Sequence, residues 1–194
     1  MKIRFYLIFG ILLSTQLFSY QKYEVECNGL LLDYSRTVLL KQVGTLESGQ
    51  NRGKKIEEYL KSVGLNPGNS YCAAGQYYCF ADACRQLGLS SAFIPIPRTG
   101  LANAIFNFFQ VKGKKVNYKP KTDDLIVWIK SNKVNGHIER IIEADKAGWV
   151  QTVGFNSSGI INGRKVEGVF IKKRNIFHAI GRMNIRGLAG FKTV

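Results

Sequence analysis

Acidic side chains are scarce in this chain. Thirteen Asp and Glu stand against 28 Lys and Arg, which leaves a formal net charge of +15. Such a surface attracts polyanions, whether nucleic acid, anionic lipid or anionic cell-wall polymer. The basic residues are scattered, however, with only small clusters at Lys112–Lys115 and Lys172–Arg174. Scattered charge argues for general attraction and against specific nucleic-acid recognition. Histidine is scarcer still, at two residues, His137 and His178. Four cysteines are present, none in C-x-x-C spacing, so the set gives little support for a metal site, and no cofactor is implied. No apolar run reaches the roughly 20 residues of an ordinary membrane-spanning helix. Internal repeats and low-complexity stretches are absent too. A hydrophobic fraction of 45% with 21% charged residues is an ordinary globular balance, which excludes disorder and a coiled coil. The 194 residues suit one sizeable domain.

The first 20 residues read as an export signal. Lys2 and Arg4 form a basic start, Phe5–Leu13 is a short apolar run, and Ser19 is small enough to precede a cut. The alternative is an uncleaved N-terminal anchor. With the signal cleaved, no transmembrane segment is expected, and the protein is exported to a periplasmic or extracellular space. An oxidising space permits disulfides. Cys79 and Cys84 point apart on a helix and should not bridge each other, whereas Cys27 with one of them is open.

Residues 21–49 are hard to place. Leu30–Leu32 and Val38–Leu40 suit short strands or a helix, and the segment is expected as an N-terminal extension. Helical periodicity follows over 52–63, where Ile56, Tyr59, Leu60 and Val63 recur and Gly64 suits the stop. A second helix is expected over 71–87, and a third over 101–109 behind a Thr99 cap. From Lys121 onward the pattern turns to strands: 125–129, 137–143, 148–153, 166–172 and 181–185. Helices first and strands after them predict an α+β fold with the helices packed on a C-terminal antiparallel sheet. The catalytic domain is expected over 50–187, with 188–194 as a tail.

Chemistry concentrates at the start of the second helix. Asn69 and Ser70 are good N-cap types, so Cys72 should lie in the first turn. Unpaired N–H groups and the positive end of the helix dipole stabilise an anion there, which favours the nucleophilic thiolate. A cysteine nucleophile needs a base within hydrogen-bond reach and a third group to orient that base. Of the two histidines, His137 is the better candidate, because a strand fixes its ring. Glu139, two residues on, shares its strand face.

Four spaced segments resemble the CHAP family, the cysteine- and histidine-dependent amidohydrolases and peptidases. Gly64…Pro67-Gly68-Asn69…Tyr71-Cys72-Ala73-Ala74 is similar to the family's W-C-A-A box, and Pro120…Asp124-Leu125-Ile126-Val127-Trp128 to its P-x-x-G-D-[LIV]-V-x-[FW] strand. Gly136-His137-Ile138 resembles its G-H-V box, and Thr152-Val153-Gly154-Phe155-Asn156-Ser157-Ser158 its T-I-E-G-N-T-S segment. The resemblance spans 51–186. It implies a papain-like fold, Cys72 as nucleophile, His137 as base and Asn156 as the orienting residue, with Glu139 the alternative. The chain departs from the pattern at Tyr71 (for Trp), Asp123 (for Gly) and Gly154 (for Glu). Asp124 is expected to cap a turn or support the fold.

The expected oxyanion donors are the Cys72 backbone N–H and an upstream group, Tyr71 or Asn69. Members of the family commonly cut peptidoglycan, at the sugar–peptide amide or within the peptide. The expected function is therefore a secreted N-acetylmuramoyl-L-alanine amidase or peptide endopeptidase. The competing expectation is a catalytically inactive CHAP-like module that binds the wall.

Overall fold

The computed structural model describes residues 20–131 and 134–194. All of the expected export signal but its last residue lies outside the described residues. The chain folds as an α+β unit with four α-helices and one seven-stranded sheet among the described residues. The helices are α1 (Gly29–Leu40), α2 (Lys54–Ser62), α3 (Cys72–Gln86) and α4 (Ala102–Lys112). The strands are β1 (Lys22–Cys27), β2 (Lys114–Val116), β3 (Leu125–Ile129), β4 (Gly136–Ala144), β5 (Trp149–Ile161), β6 (Arg164–Asn175) and β7 (Asn184–Thr193). Their order in the sheet is β2-β1-β7-β3-β4-β5-β6.

The sheet is mixed, which corrects the expectation of an antiparallel one. β1 runs parallel to β7, from Lys22 opposite Leu188 to Cys27 opposite Thr193, whereas the other neighbours are antiparallel. Parallel neighbours need a long crossover, and here almost the whole chain separates the two. Segment periodicity carries no trace of such a pairing. The same pairing brings both ends of the chain into the sheet. The segment expected as an N-terminal extension supplies β1 and α1, and 188–194 lie largely in β7 rather than in a free tail. Leu31, Leu32, Val38 and Leu39 are buried in α1, and the Asn28 side chain accepts the Leu31 N–H at its start.

α3 occupies the centre of the helical layer. Ten of its fifteen residues are buried, including Ala73, Ala74, Gly75, Gln76 and Cys79. They pack on the sheet face that carries Val127, Ile138, Val153 and Phe155. Small residues let the two layers approach. A Cβ on Gly75 would stand less than 3.0 Å from three ring carbons of Phe155. The opposite face carries Ile126, Trp128, Ile141 and Val150, covered in part by Ile176 and Met183.

Two buried charge clusters brace the fold, the first between α1 and the sheet and the second beside the strands. Arg140 is fully buried, and its guanidinium donates to Asp123 Oδ1 through Nε (3.0 Å) and Nη2 (2.7 Å), and to Ser35 Oγ and the Leu32 carbonyl of α1. Asp123 has φ of 77°, a left-handed conformation that glycine adopts most easily. Its carboxylate compensates by pairing with Arg140 and Arg36. That pairing gives a physical reason for an aspartate where the family pattern has glycine. Asp124 accepts from Lys22 Nζ (2.6 Å) and from the Lys121 N–H (2.8 Å), the supporting part expected of it. Burial pushes its pKa up to about 6, against the pull of Lys22.

Candidate active site

Cys72 is the first residue of α3 and is 4% exposed. Its helix begins differently from expectation. Tyr71, not Asn69 or Ser70, is the N-cap residue, and no side chain caps the helix. The Asn69 amide turns away and donates to the Asn66 carbonyl at 2.9 Å. The helical ladder starts with the Gly75 N–H donating to the Tyr71 carbonyl. An uncapped helix head keeps its N–H groups available to an anion. The Cys72 N–H, covalently next to the thiol, is therefore placed to donate to an anion formed beside the sulfur.

Cys72 opens onto a cavity of about 330 Å³ shared with His137, Asn156, Ser70, Lys130 and Met183. His137 lies at the start of β4, opposite Trp128 of β3, with the two rings 6.0 Å apart. Gly136, just before it, fits where a Cβ would strike the Trp128 carbonyl. The His137 Nε2 meets Glu139 Oε1 at 3.0 Å. That leaves Nδ1 as the nitrogen that can exchange a proton with Cys72. Burial works against the imidazolium, but hydrogen bonding and charge from Cys72 and Glu139 outweigh it and raise the His137 pKa to about 10. Burial likewise works against the Glu139 carboxylate. His137 and Arg174 overcome it, and hold the Glu139 pKa down at about 2.

Glu139, rather than Asn156, is the residue that meets the histidine ring. Asn156 does line the cavity, but its Nδ2 donates to Asn51 Oδ1 at 2.7 Å. It sits at φ 52° where the register of β5 slips between Gly154 and Ser157. The sheet register also accounts for the missing glutamate. Glu139 and Gly154 are direct partners across β4 and β5. A Cβ on residue 154 would come within 2.8 Å of Glu139 Oε1. The Glu139 carboxylate thus fills the space over Gly154, on the neighbouring strand from the glutamate of the family pattern.

Neither upstream side chain expected as an oxyanion donor lines the cavity; Ser70 does. Tyr71 is fully buried, and its hydroxyl donates to Glu47 Oε1 at 2.9 Å. Burial and that bond push the Tyr71 pKa upward. The same hydroxyl meets the Asn156 backbone. Glu47 in turn accepts the Asn51 N–H at 2.7 Å. Glu47, Asn51 and Tyr71 therefore support the bulge that carries Asn156. Sequence reasoning missed Glu47 and Asn51, because these contacts join segments separated by as many as 105 positions.

All four cysteines are free thiols. Burial raises the pKa of Cys27 and Cys79 to about 12, which makes both inert as nucleophiles. Among the described residues no cluster of His, Cys, Asp and Glu suits a metal ion, and no helix is long and apolar enough to cross a membrane.

Comparison with known proteins gives no match. No family model, no curated protein and no solved structure matches this chain. The functional reading therefore rests on the geometry just described and on the resemblance of the four segments.

Proposed function

We propose that this chain is a secreted cysteine hydrolase of CHAP type, with a papain-like arrangement of cysteine helix and histidine sheet, that cleaves amide bonds in peptidoglycan. One observation carries the reading: Cys72 at an uncapped helix head and His137 open onto one cavity, and the buried Glu139 carboxylate backs the ring.

The chemistry follows from these positions. Cys72, as thiolate, attacks the amide carbonyl and the carbonyl electrons move onto oxygen, where the Cys72 N–H donates to the oxyanion. Donors of that kind contribute about 2.7–4 kcal/mol in other enzymes. His137 carries the proton at neutral pH and gives it to the departing amine as the C–N bond breaks, leaving a thioester. Neutral His137 then takes a proton from water, hydroxide attacks the thioester, and the carboxylic acid leaves as the thiolate–imidazolium pair returns. Glu139 holds the ring through both halves of the cycle. The excess of basic over acidic residues favours residence on an anionic wall.

Purified cell wall incubated with the wild type should release new amino groups, and Cys72→Ala should release none. Equal release by both would remove Cys72 from the mechanism. No release by either, across walls of different cross-link chemistry, would favour the wall-binding module. Mass analysis of the fragments separates amidase from endopeptidase.

A further inference from the structure

Glu139 is fully buried yet receives four donors. His137 Nε2 (3.0 Å) and Arg174 Nη2 (2.7 Å) meet its Oε1. Thr152 Oγ1 (2.5 Å) and Arg174 Nε (2.9 Å) donate to its Oε2. The Arg174 fork comes from β6, two strands from the histidine, and its side chain is 22% exposed. Orienting a histidine takes one carboxylate; the second cation needs its own explanation.

We propose that Arg174 is a positioning residue of the site, acting through Glu139 to keep His137 able to release its proton. The inference rests on the cysteine–histidine reading above. A buried carboxylate whose sole cation is the imidazolium would be stranded whenever His137 became neutral, and isolated buried charge is costly. Such a site would lock the ring in its protonated form, whereas the second half of the cycle needs a neutral ring. A guanidinium stays charged through the working range of a protein, so the Arg174 fork keeps Glu139 paired whichever form His137 takes. Its two parallel bonds also fix the carboxylate plane.

The like charge acts directly as well. His137 and Arg174 meet the same oxygen, so the two cationic groups are no more than about 6 Å apart, close enough to disfavour protonation of the ring. Among the described residues, other ionisable groups also stand near the ring. Cys72 faces it from α3, Lys130 stands on the cavity wall, and Lys172, on the same strand as Arg174, is occupied by the Ser158 carbonyl. Thr152 and the Trp128 ring also stand beside the site and do not ionise.

The test is the NMR titration of the His137 ring, together with the pH dependence of Cys72 alkylation by iodoacetamide. Neither measurement needs a wall substrate, so a failed hydrolase assay and a failed proposal are distinguishable. Arg174→Gln should raise the His137 pKa above that of the wild type by about 1, the lower end of the shift that a neighbouring charge produces. Arg174→Lys, which keeps the charge, should titrate close to the wild type. Glu139→Gln should lower the pKa instead. If Arg174→Gln does not fold, Arg174→Met keeps the apolar stem and carries the same expectation. An unchanged or lowered His137 pKa in the folded neutral variant, or a Lys variant indistinguishable from Gln, overturns the proposal.

Discussion

Replacing Gly75 with alanine should destabilise the protein although alanine is the better helix former. Gly75 lies inside α3 where the helix meets the sheet, and an added Cβ would stand less than 3.0 Å from three ring carbons of Phe155. That ring has little room to move, being fully buried and edge-on to Tyr59 at a centroid distance of 5.1 Å. Overpacking of a close-packed core costs about 1–3 kcal/mol, and a rigid neighbour places this site near the upper figure. Helix propensity returns about 1 kcal/mol. The net expectation is a loss of about 2 kcal/mol, which lowers the urea midpoint by roughly 0.7–1 M for an m-value of 2–3 kcal/mol/M. Because α3 carries Cys72, its outward shift should also slow iodoacetamide alkylation of the thiol. Gly75→Ala combined with Phe155→Leu should lose less than the two single changes together, since the smaller side chain admits the methyl group. A Gly75→Ala variant more stable than wild type by the propensity gain alone, or strict additivity in the double variant, would refute the close approach of helix and sheet.

Further outcomes concern the carboxylate behind the histidine. Gly154→Ala places a methyl group 2.8 Å from Glu139 Oε1. It should displace the carboxylate and lower the His137 pKa from about 10 toward 6.5 in an NMR titration, and an unmoved titration would contradict it. Glu139→Gln should lower that pKa far more than Asn156→Ala, because Glu139 and not Asn156 meets the ring; the reverse order would restore the family's asparagine to the orienting part. Stability should report the same pair. The His137 pKa rises on folding from 6.5 to about 10, so its contribution is whole below pH 6.5 and is lost as pH climbs through 10. The Glu139 pKa falls from 4.5 to about 2, so its contribution is whole above pH 4.5 and is lost as pH drops through 2. The difference in Tm between wild type and Glu139→Gln should therefore peak between pH 4.5 and 6.5 and narrow on either side; a difference flat with pH would count against the pairing.

Much of this protein is legible one segment at a time. Apolar spacing in Ile56, Tyr59 and Leu60 specified α2, and the continuous run Leu125–Ile129 specified β3 to the residue. A cysteine at the head of a helix and a histidine at the start of a strand were equally local features. What remained hidden depends on competition between distant segments. Strand periodicity places Glu139 and His137 on one face, but only the register of β4 against β5 sets Glu139 over Gly154 and leaves no room for a side chain there. Only the slip in β5 turns Asn156 toward Asn51. Only β6 brings Arg174 to the same carboxylate. The parallel pairing of β1 with β7 joins the two ends of the chain, so neither end could announce it alone. Local sequence supplied the cysteine and the histidine, whereas the choice of their supporting residues was an outcome of strand register, which no segment holds by itself.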